Sequence, residues 1–439
     1  MKSVSFYLQQ YIQQYPELHH NIKFSTLSRS FISQLFHQIH QSHLQWNEDY
    51  EPIFSSEKTW ALNSATIPNY EYIPETIRKK WIEQISRETL YQKTFTIIIG
   101  YRTFHIYLWF PTIVQTEQNT PILMSNLQIQ EKVTHTLQKI YLWLRFVSTF
   151  LHKHTKCSQT VNIYLFLTNH LKTVPTHSYE PIHQQHVNTA FTTSCISKTT
   201  DIFVFREEEW FKVLIHETFH NLGLDFIDAD NSNINKSILE LFPISVRDLR
   251  LYETYSEMWG EIMNILFIVY WTEPPAKKGR LPIVRWTQMA EQCFEIEQAF
   301  SLFQAHKILC LHKLKYNDLF VAEKAAQYSE QTQIFCYYIL KSIWMHHINS
   351  FLEFCANQPG GSSLKFQLSQ KNIEKYVQLL KHHAQQPEFL QKMNQISLIV
   401  LHKKKRGEST KHGENTKHGE NTKHGEFIHN TLRMTLHEF

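Results

Sequence analysis

Glycine is scarce in this chain: 10 of 439 residues, four of them after residue 406. So little glycine beside 14% aromatic residues excludes a collagen-like chain, argues against a propeller, and favours a dense, helix-rich globule. Cysteine is sparse too. Its six positions, 157, 195, 293, 310, 336 and 355, include no Cys-x-x-Cys. That scatter argues against a disulfide framework or a cysteine-held metal, and suits a reducing compartment. Charge of one sign is lacking. A net +4 makes no electrostatic case for nucleic acid. Long apolar runs are lacking as well. The longest, Ile262 to Trp271, is broken by Asn264 and too short to span a bilayer. The segment Met1 to Tyr7 has no apolar core of the signal-peptide kind. An intracellular setting is expected, cytoplasmic (a host cytoplasm or a virion included), not secreted and with no membrane partner.

What is present is the pentapeptide His216-Glu217-Thr218-Phe219-His220. On a helix, residues four apart share a face, so both imidazoles can bind one ion. Glu217 then lies beside that ion, placed to take a proton from an attacking water and return it to a leaving amine. In a chain with 27 histidines the pattern can also arise by chance, so its surroundings matter. Asp201-Ile202-Phe203-Val204-Phe205 reads as a short buried strand. Glu207, Glu208 and Glu209 suit the positive end of a helix starting there. Trp210, Val213, Leu214, Phe219 and Leu222 have helical spacing, and Gly223 is placed as the C-cap. The bland reading is a core helix with two incidental histidines.

A catalytic zinc site needs a third protein ligand and one open position. A histidine three residues beyond Gly223 would supply it, but Phe226 stands there and cannot bind metal, and Asp225 is one residue out of register. The other source is the segment 251–270, where Glu253, Glu257 and Glu261 are spaced four apart among apolar residues. Three carboxylates on a buried helix face are costly without a compensating cation; a solvated stripe is the alternative.

The pentapeptide followed by a glutamate on a later helix resembles the gluzincin metallopeptidases. The run Glu253-Thr254-Tyr255-Ser256-Glu257-Met258-Trp259-Gly260 is similar to the second motif of thermolysin-like enzymes, with Glu in place of Asp. It is also similar to the Glu-Phe-Phe-Ala-Glu motif of lethal-factor-like toxins. The resemblance covers roughly residues 187–265. It implies Zn²⁺ held by His216, His220 and Glu253, Glu217 as general base, and Glu257 as the carboxylate orienting a ligating histidine. A frame shifted by one turn, with Glu257 as ligand and Glu261 behind it, also fits. The Glu-Glu-Trp-Phe-Lys-Val context, the Tyr-Glu-Thr-Tyr-Ser-Glu helix and the repeat tail further resemble uncharacterised metallopeptidases of large eukaryotic DNA viruses.

The expected fold is α+β. Residues 1–90 read as mainly helical, with Phe24–His43 the clearest amphipathic segment. Residues 91–272 would be a zincin-like domain with a mixed sheet of about five strands: 94–100 and 104–110 as a hairpin, then 161–167, 187–193 and 202–205, with Leu127–His152 as a backing helix. His186–Thr192 would be the sheet edge that pairs with an extended substrate. Residues 226–250 read as a surface turn, 273–285 as a linker, and 273–400 as a helical subdomain. Residues 401–439, with Lys403–Arg406 and the repeated Gly-Glu-Ser/Asn-Thr-Lys-His, read as a disordered tail. Tyr337, Tyr338, His346 and His347 could stabilise an oxyanion, but packing is the simpler role for each, as for His306 and His312.

The expected activity is zinc-dependent hydrolysis of a peptide or protein substrate. Two alternatives stand beside it: a catalytically inactive zincin-fold protein with a structural or binding role, as in a viral particle, and a helical interaction protein with no metal. Oligomeric state is not encoded in any of these features.

Overall fold

The computed structural model describes residues 21–61, 73–87, 91–110, 113–115, 121–123, 125–151, 156–175, 181–275, 281–359, 364–397 and 429–438. These divide into two compact units. One lies within Gln34–Leu171 and Asn188–Asp225, the other within Met1–Ser33, Lys172–Val187 and Phe226–Phe439. The units cut across the expected boundaries at 90 and 272.

The first unit is built on a mixed sheet. Its strands are β1 (Lys58–Ala61), β2 (Tyr91–Ile99), β3 (Arg102–Phe110), β6 (Thr160–Thr168), β7 (Ala190–Thr192) and β8 (Thr199–Arg206), with a separate ribbon of β4 (Ile113–Gln115) and β5 (Pro121–Leu123). The order is β1-β2-β3-β6-β8-β7. The pairs β3/β6 and β6/β8 are parallel; β1/β2, β2/β3 and β7/β8 are antiparallel. The hairpin turn is Gly100-Tyr101, one residue earlier than expected, because Gly100 takes the φ of 58° that glycine tolerates. β1 was not foreseen; four residues with one aromatic carry no readable alternation.

Both sheet faces are covered, which is why the strands read as nearly continuous apolar runs. Trp109, Tyr164, Phe166, Phe203 and Phe205 form one face with Ile73 and Ile77. The alternate residues Phe104, Ile106, Leu108, Ile163, Leu165, Ile202 and Val204 are buried on the other. Two helices of the unit are α1 (Thr26–Ser55), from residue 34 on, and α2 (Glu75–Arg87). On α1, Trp46 packs against Tyr141 of α3 (Asn126–Ser148). α3 begins in a capping box between Ser125 and Gln128. The segment expected as strand 187–193 splits into a short helix, α4 (Gln184–Val187), and β7 at the sheet edge.

α5 (Trp210–Asn221) follows β8 directly and packs on β7 and β8. Its end is a Schellman turn. Gly223 sits at φ 63°, its N–H reaches the His220 carbonyl at 3.3 Å, and Leu224 N–H reaches Phe219 at 2.8 Å. The acidic run before it works differently from expectation. Glu209 is the N-cap residue, in left-handed conformation with no side-chain cap bond, and Glu207 pairs with Lys132 of α3 at 2.8 Å.

The second unit is helical among its described residues. The expected turn 226–250 contains a helix, α6 (Asn231–Leu241), because Asp230 caps it by accepting from Ser232 N–H at 3.0 Å. Then come α7 (Leu251–Thr272), α8 (Ile283–Leu311), a 3₁₀ turn (Tyr316–Phe320) and α9 (Ala322–Ala325). A π-helical turn (Phe335–Leu340), α10 (Lys341–His346), α11 (Ile348–Ala356) and α12 (Gln370–Ala384) follow. α7 is buried almost all round. Its Tyr255 sits in an aromatic cluster with Phe226, Phe351, Phe366 and Tyr376. Phe226, which fails as a ligand, is therefore a core residue. The tail expectation is corrected for residues 429–438: Thr431 to Leu436 are buried in this unit. Residues 401–428 lie outside those described.

Candidate metal centre

In the sheet unit the two pentapeptide histidines face each other. Nε2 of His216 and Nε2 of His220 are 3.0 Å apart, and both residues are buried. Two nitrogens each about 2.0–2.1 Å from a tetrahedral ion stand roughly 3.3 Å apart. The pair is thus nearly at ligand spacing. With one imidazole per turn of the same helix, a four-residue separation allows this approach.

The tautomer is set by Asp225. Its carboxylate, with no exposed side-chain surface, hydrogen-bonds Nδ1 of His220. A proton held at Nδ1 leaves the Nε2 lone pair available for a cation. The orienting carboxylate of His220 is therefore one that the sequence reading placed only near the helix end. The Schellman turn brings it back: Gly223 and Leu224 reverse the chain, so the fifth residue after His220 returns to its ring. A signal existed in the order His-Asn-Leu-Gly-Leu-Asp, which puts an acid just beyond a glycine cap.

The helix is locked from behind. Trp143 Nε1–H of α3 donates to Thr218 Oγ at 2.8 Å, and Trp143 stacks on Phe219 at 6.4 Å between ring centroids. At its C-terminal end the Asn221 carbonyl accepts from Ser158 Oγ at 2.6 Å, and its side-chain amide donates to Thr193 O at 3.0 Å. Cys157 and Cys195 form a disulfide beside this end, with Cα atoms 5.2 Å apart. The scatter of cysteines argues against a disulfide framework and suits a reducing compartment; the structure holds this one bridge. A single bridge between residues 38 apart has no spacing pattern to announce it. A Cβ added at Gly223 would meet Cys195 Cβ at 3.3 Å. That contact is tight but needs only a small shift, so the φ of 63° is what calls for glycine here.

The helical unit holds the candidate third ligands. Glu253, Glu257 and Glu261 share a face of α7, as the spacing required, and are 7, 1 and 0% exposed. A solvated stripe is ruled out by those values. Their charges meet different partners. Glu253 Oε2 accepts from Tyr337 OH at 3.3 Å. Glu261 is paired with Lys341 Nζ at 2.7 Å, both side chains fully buried. The compensating cation expected for the stripe is thus, at Glu261, a lysine.

The other weighed residues take structural roles. Tyr338 OH donates to the Leu432 carbonyl at 2.5 Å. His347 stacks on His383 and lies edge-on to His346. His306 Nε2 is 3.2 Å from Cys310 Sγ, and His312 Nε2 donates to Ser329 O at 2.8 Å.

Comparison of the chain with protein-family models, with curated proteins and with solved structures finds no match. Any functional reading therefore rests on its own residues.

Proposed function

We propose that this chain is a zinc-dependent metallopeptidase, with His216, His220 and Glu253 as the metal ligands and Glu217 as general base. The observation that carries the reading is the pair of Nε2 atoms 3.0 Å apart with the far nitrogen of His220 held by a buried Asp225. A buried imidazole N–H needs an acceptor in any case; what supports the reading is that, with Nδ1 held by Asp225, Nε2 is the nitrogen turned toward His216.

Glu253 is preferred over Glu257 on two counts. Only the Glu253 frame keeps the Ser256 and Trp259-Gly260 positions of the resembled motif. The shifted frame needs Glu261 to orient a histidine, and Glu261 is committed to Lys341. Tyr337, by contrast, donates to Glu253 and steadies its carboxylate.

When bound, the ion supplies Lewis acidity that makes a water nucleophilic near neutral pH and polarises a carbonyl. Glu217, the residue after His216 on α5 and 9% exposed, accepts a proton from the attacking water and delivers it to the departing nitrogen. Asp225 stabilises the metal-binding tautomer of His220 throughout. Peptide bonds are the expected substrate class because the resemblance is to peptidases. An inactive, metal-holding relative is the second reading, and turnover separates the two.

The test is metal content by elemental mass spectrometry together with turnover on a peptide library. Wild type is expected to carry one zinc per chain and to cleave. Glu217→Gln is expected to keep the metal and lose turnover, and His220→Ala to lose both. Zinc with no cleavage of any peptide would leave only the inactive reading; no zinc after reconstitution would sink both.

A further inference from the structure

The segment 430–438 is gripped by side chains rather than by a sheet. Lys307 Nζ donates to the Thr431 carbonyl at 2.6 Å, Tyr338 OH to Leu432 at 2.5 Å, Gln304 Nε2 to Arg433 at 2.5 Å, and Lys341 Nζ to Met434 at 2.8 Å. Asn264 Nδ2 donates to the His437 carbonyl at 2.9 Å. Glu297 accepts from Leu436 N–H at 3.0 Å and from Thr435 Oγ–H at 2.9 Å. Four successive carbonyls are thus each read by a different side chain of α8, the π-helical turn or α10. Backbone pairing is confined to the near end, where Thr173 bridges Thr431.

These lining groups are unusual for a helical core. Asn264, Glu297, Gln304 and Lys341 are all at most 2% exposed. Buried polar side chains cost free energy unless their hydrogen bonds are met, and apolar residues at these positions would pack the helices at lower cost. Their partners here are mostly the main chain of residues 431–437. Reading main-chain groups is how peptide-binding grooves gain affinity, and Thr431 to Leu436 are all buried here. The stretch 407–426 that precedes the segment is a polar repeat, and covalent attachment raises the effective concentration of a ligand.

We propose that α7, α8, the π-helical turn and α10 form a groove that reads the main chain of a peptide, filled here in cis by residues 431–437. The segment is a discrete ligand that leaves and rebinds, not an integral part of the core. Covalent attachment keeps the groove filled against free peptides of micromolar affinity.

The test uses the full chain with a site-specific protease sequence inserted within residues 407–428. After cutting, a fluorescent synthetic peptide spanning 429–439 is expected to exchange into the groove, followed by anisotropy. The uncut chain is expected to need roughly a hundredfold more peptide. Tyr338→Phe in the cut chain is expected to weaken binding about fivefold, the effect of one hydrogen bond. Circular dichroism checks that the fold survives cutting. Three results would each overturn the proposal: no exchange over a day while the fold stays intact, unfolding on cutting, or release of the segment without uptake of the peptide. None of these readouts depends on metal or turnover.

Discussion

Asp225 is where a single side chain has the largest consequence. Its carboxylate is fully buried against Nδ1 of His220, so it decides which imidazole nitrogen carries the proton. Asp225→Asn would keep the shape and lose the negative charge. Carboxylates placed behind metal-ligating histidines typically contribute about 10- to 100-fold in affinity. We expect Asp225→Asn to weaken zinc binding by a factor in that range, measured by competition with a chelating dye, with the fold unchanged by circular dichroism. Unaltered affinity would mean that Asp225 is a helix-end residue only. Glu217 is the contrasting case: as the proposed general base it would act in the reaction and not in holding the ion, so its amide should separate binding from turnover.

At the scale of elements, α7 is the costly one. It buries three carboxylates on one face, and one of them is neutralised by Lys341. A buried pair adds little stability as a whole, but removing one partner strands a charge and costs about 3–5 kcal/mol. Lys341→Met alone should therefore destabilise the protein by about that much in chemical denaturation. Lys341→Met combined with Glu261→Leu should recover most of the loss. Equal losses in single and double variants would show that Lys341 matters through Met434 and not through Glu261. α5 is secured by other means, with Trp143 behind Thr218 and Gly223 closing its end.

For the whole molecule, one buried histidine, His306, and one half-buried, His383, contribute to the response to acid. Burial pushes His306 and His383 down to about 4, with the neighbouring His382 adding to the effect at His383. A base whose folded value is depressed is neutral in the fold while the unfolded chain takes up the proton. Its contribution is present above the unfolded value of about 6.5 and is lost as pH falls from there toward 4. We expect the melting temperature to fall between pH 6.5 and 4, and His383→Gln to flatten part of that fall. The Cys157–Cys195 bridge closes a 38-residue separation, for which loop-closure entropy suggests roughly 3–4 kcal/mol. Reduction should lower the melting temperature of the wild type and leave Cys157→Ser/Cys195→Ser, already lower, unmoved. No described helix is long and apolar enough to cross a membrane.

The local elements were legible because each rests on contacts within a few residues. Alternating and continuous apolar runs marked β2, β3, β6 and β8, the 3.6-residue period marked α3 and α5, and Gly223 marked the end of α5. The spacing of His216 and His220 put both rings on one face of a helix, where they could meet. The spacing of Glu253, Glu257 and Glu261 likewise required one shared face. Tertiary structure decided what no local pattern encodes. Asp225 reaches His220 only because the chain reverses at Gly223 and Leu224. Lys341 meets Glu261 across 80 residues, a separation over which spacing carries no information. Cys157 finds Cys195 only because the loops before β6 and β8 lie side by side. Residues 430–438 follow a polar repeat, and the tail reads as one with it; they are ordered because side chains more than a hundred residues earlier meet their backbone. Sequence determines which groups can act within a turn or a strand. The packed fold determines which distant charge, thiol or carbonyl each of them meets.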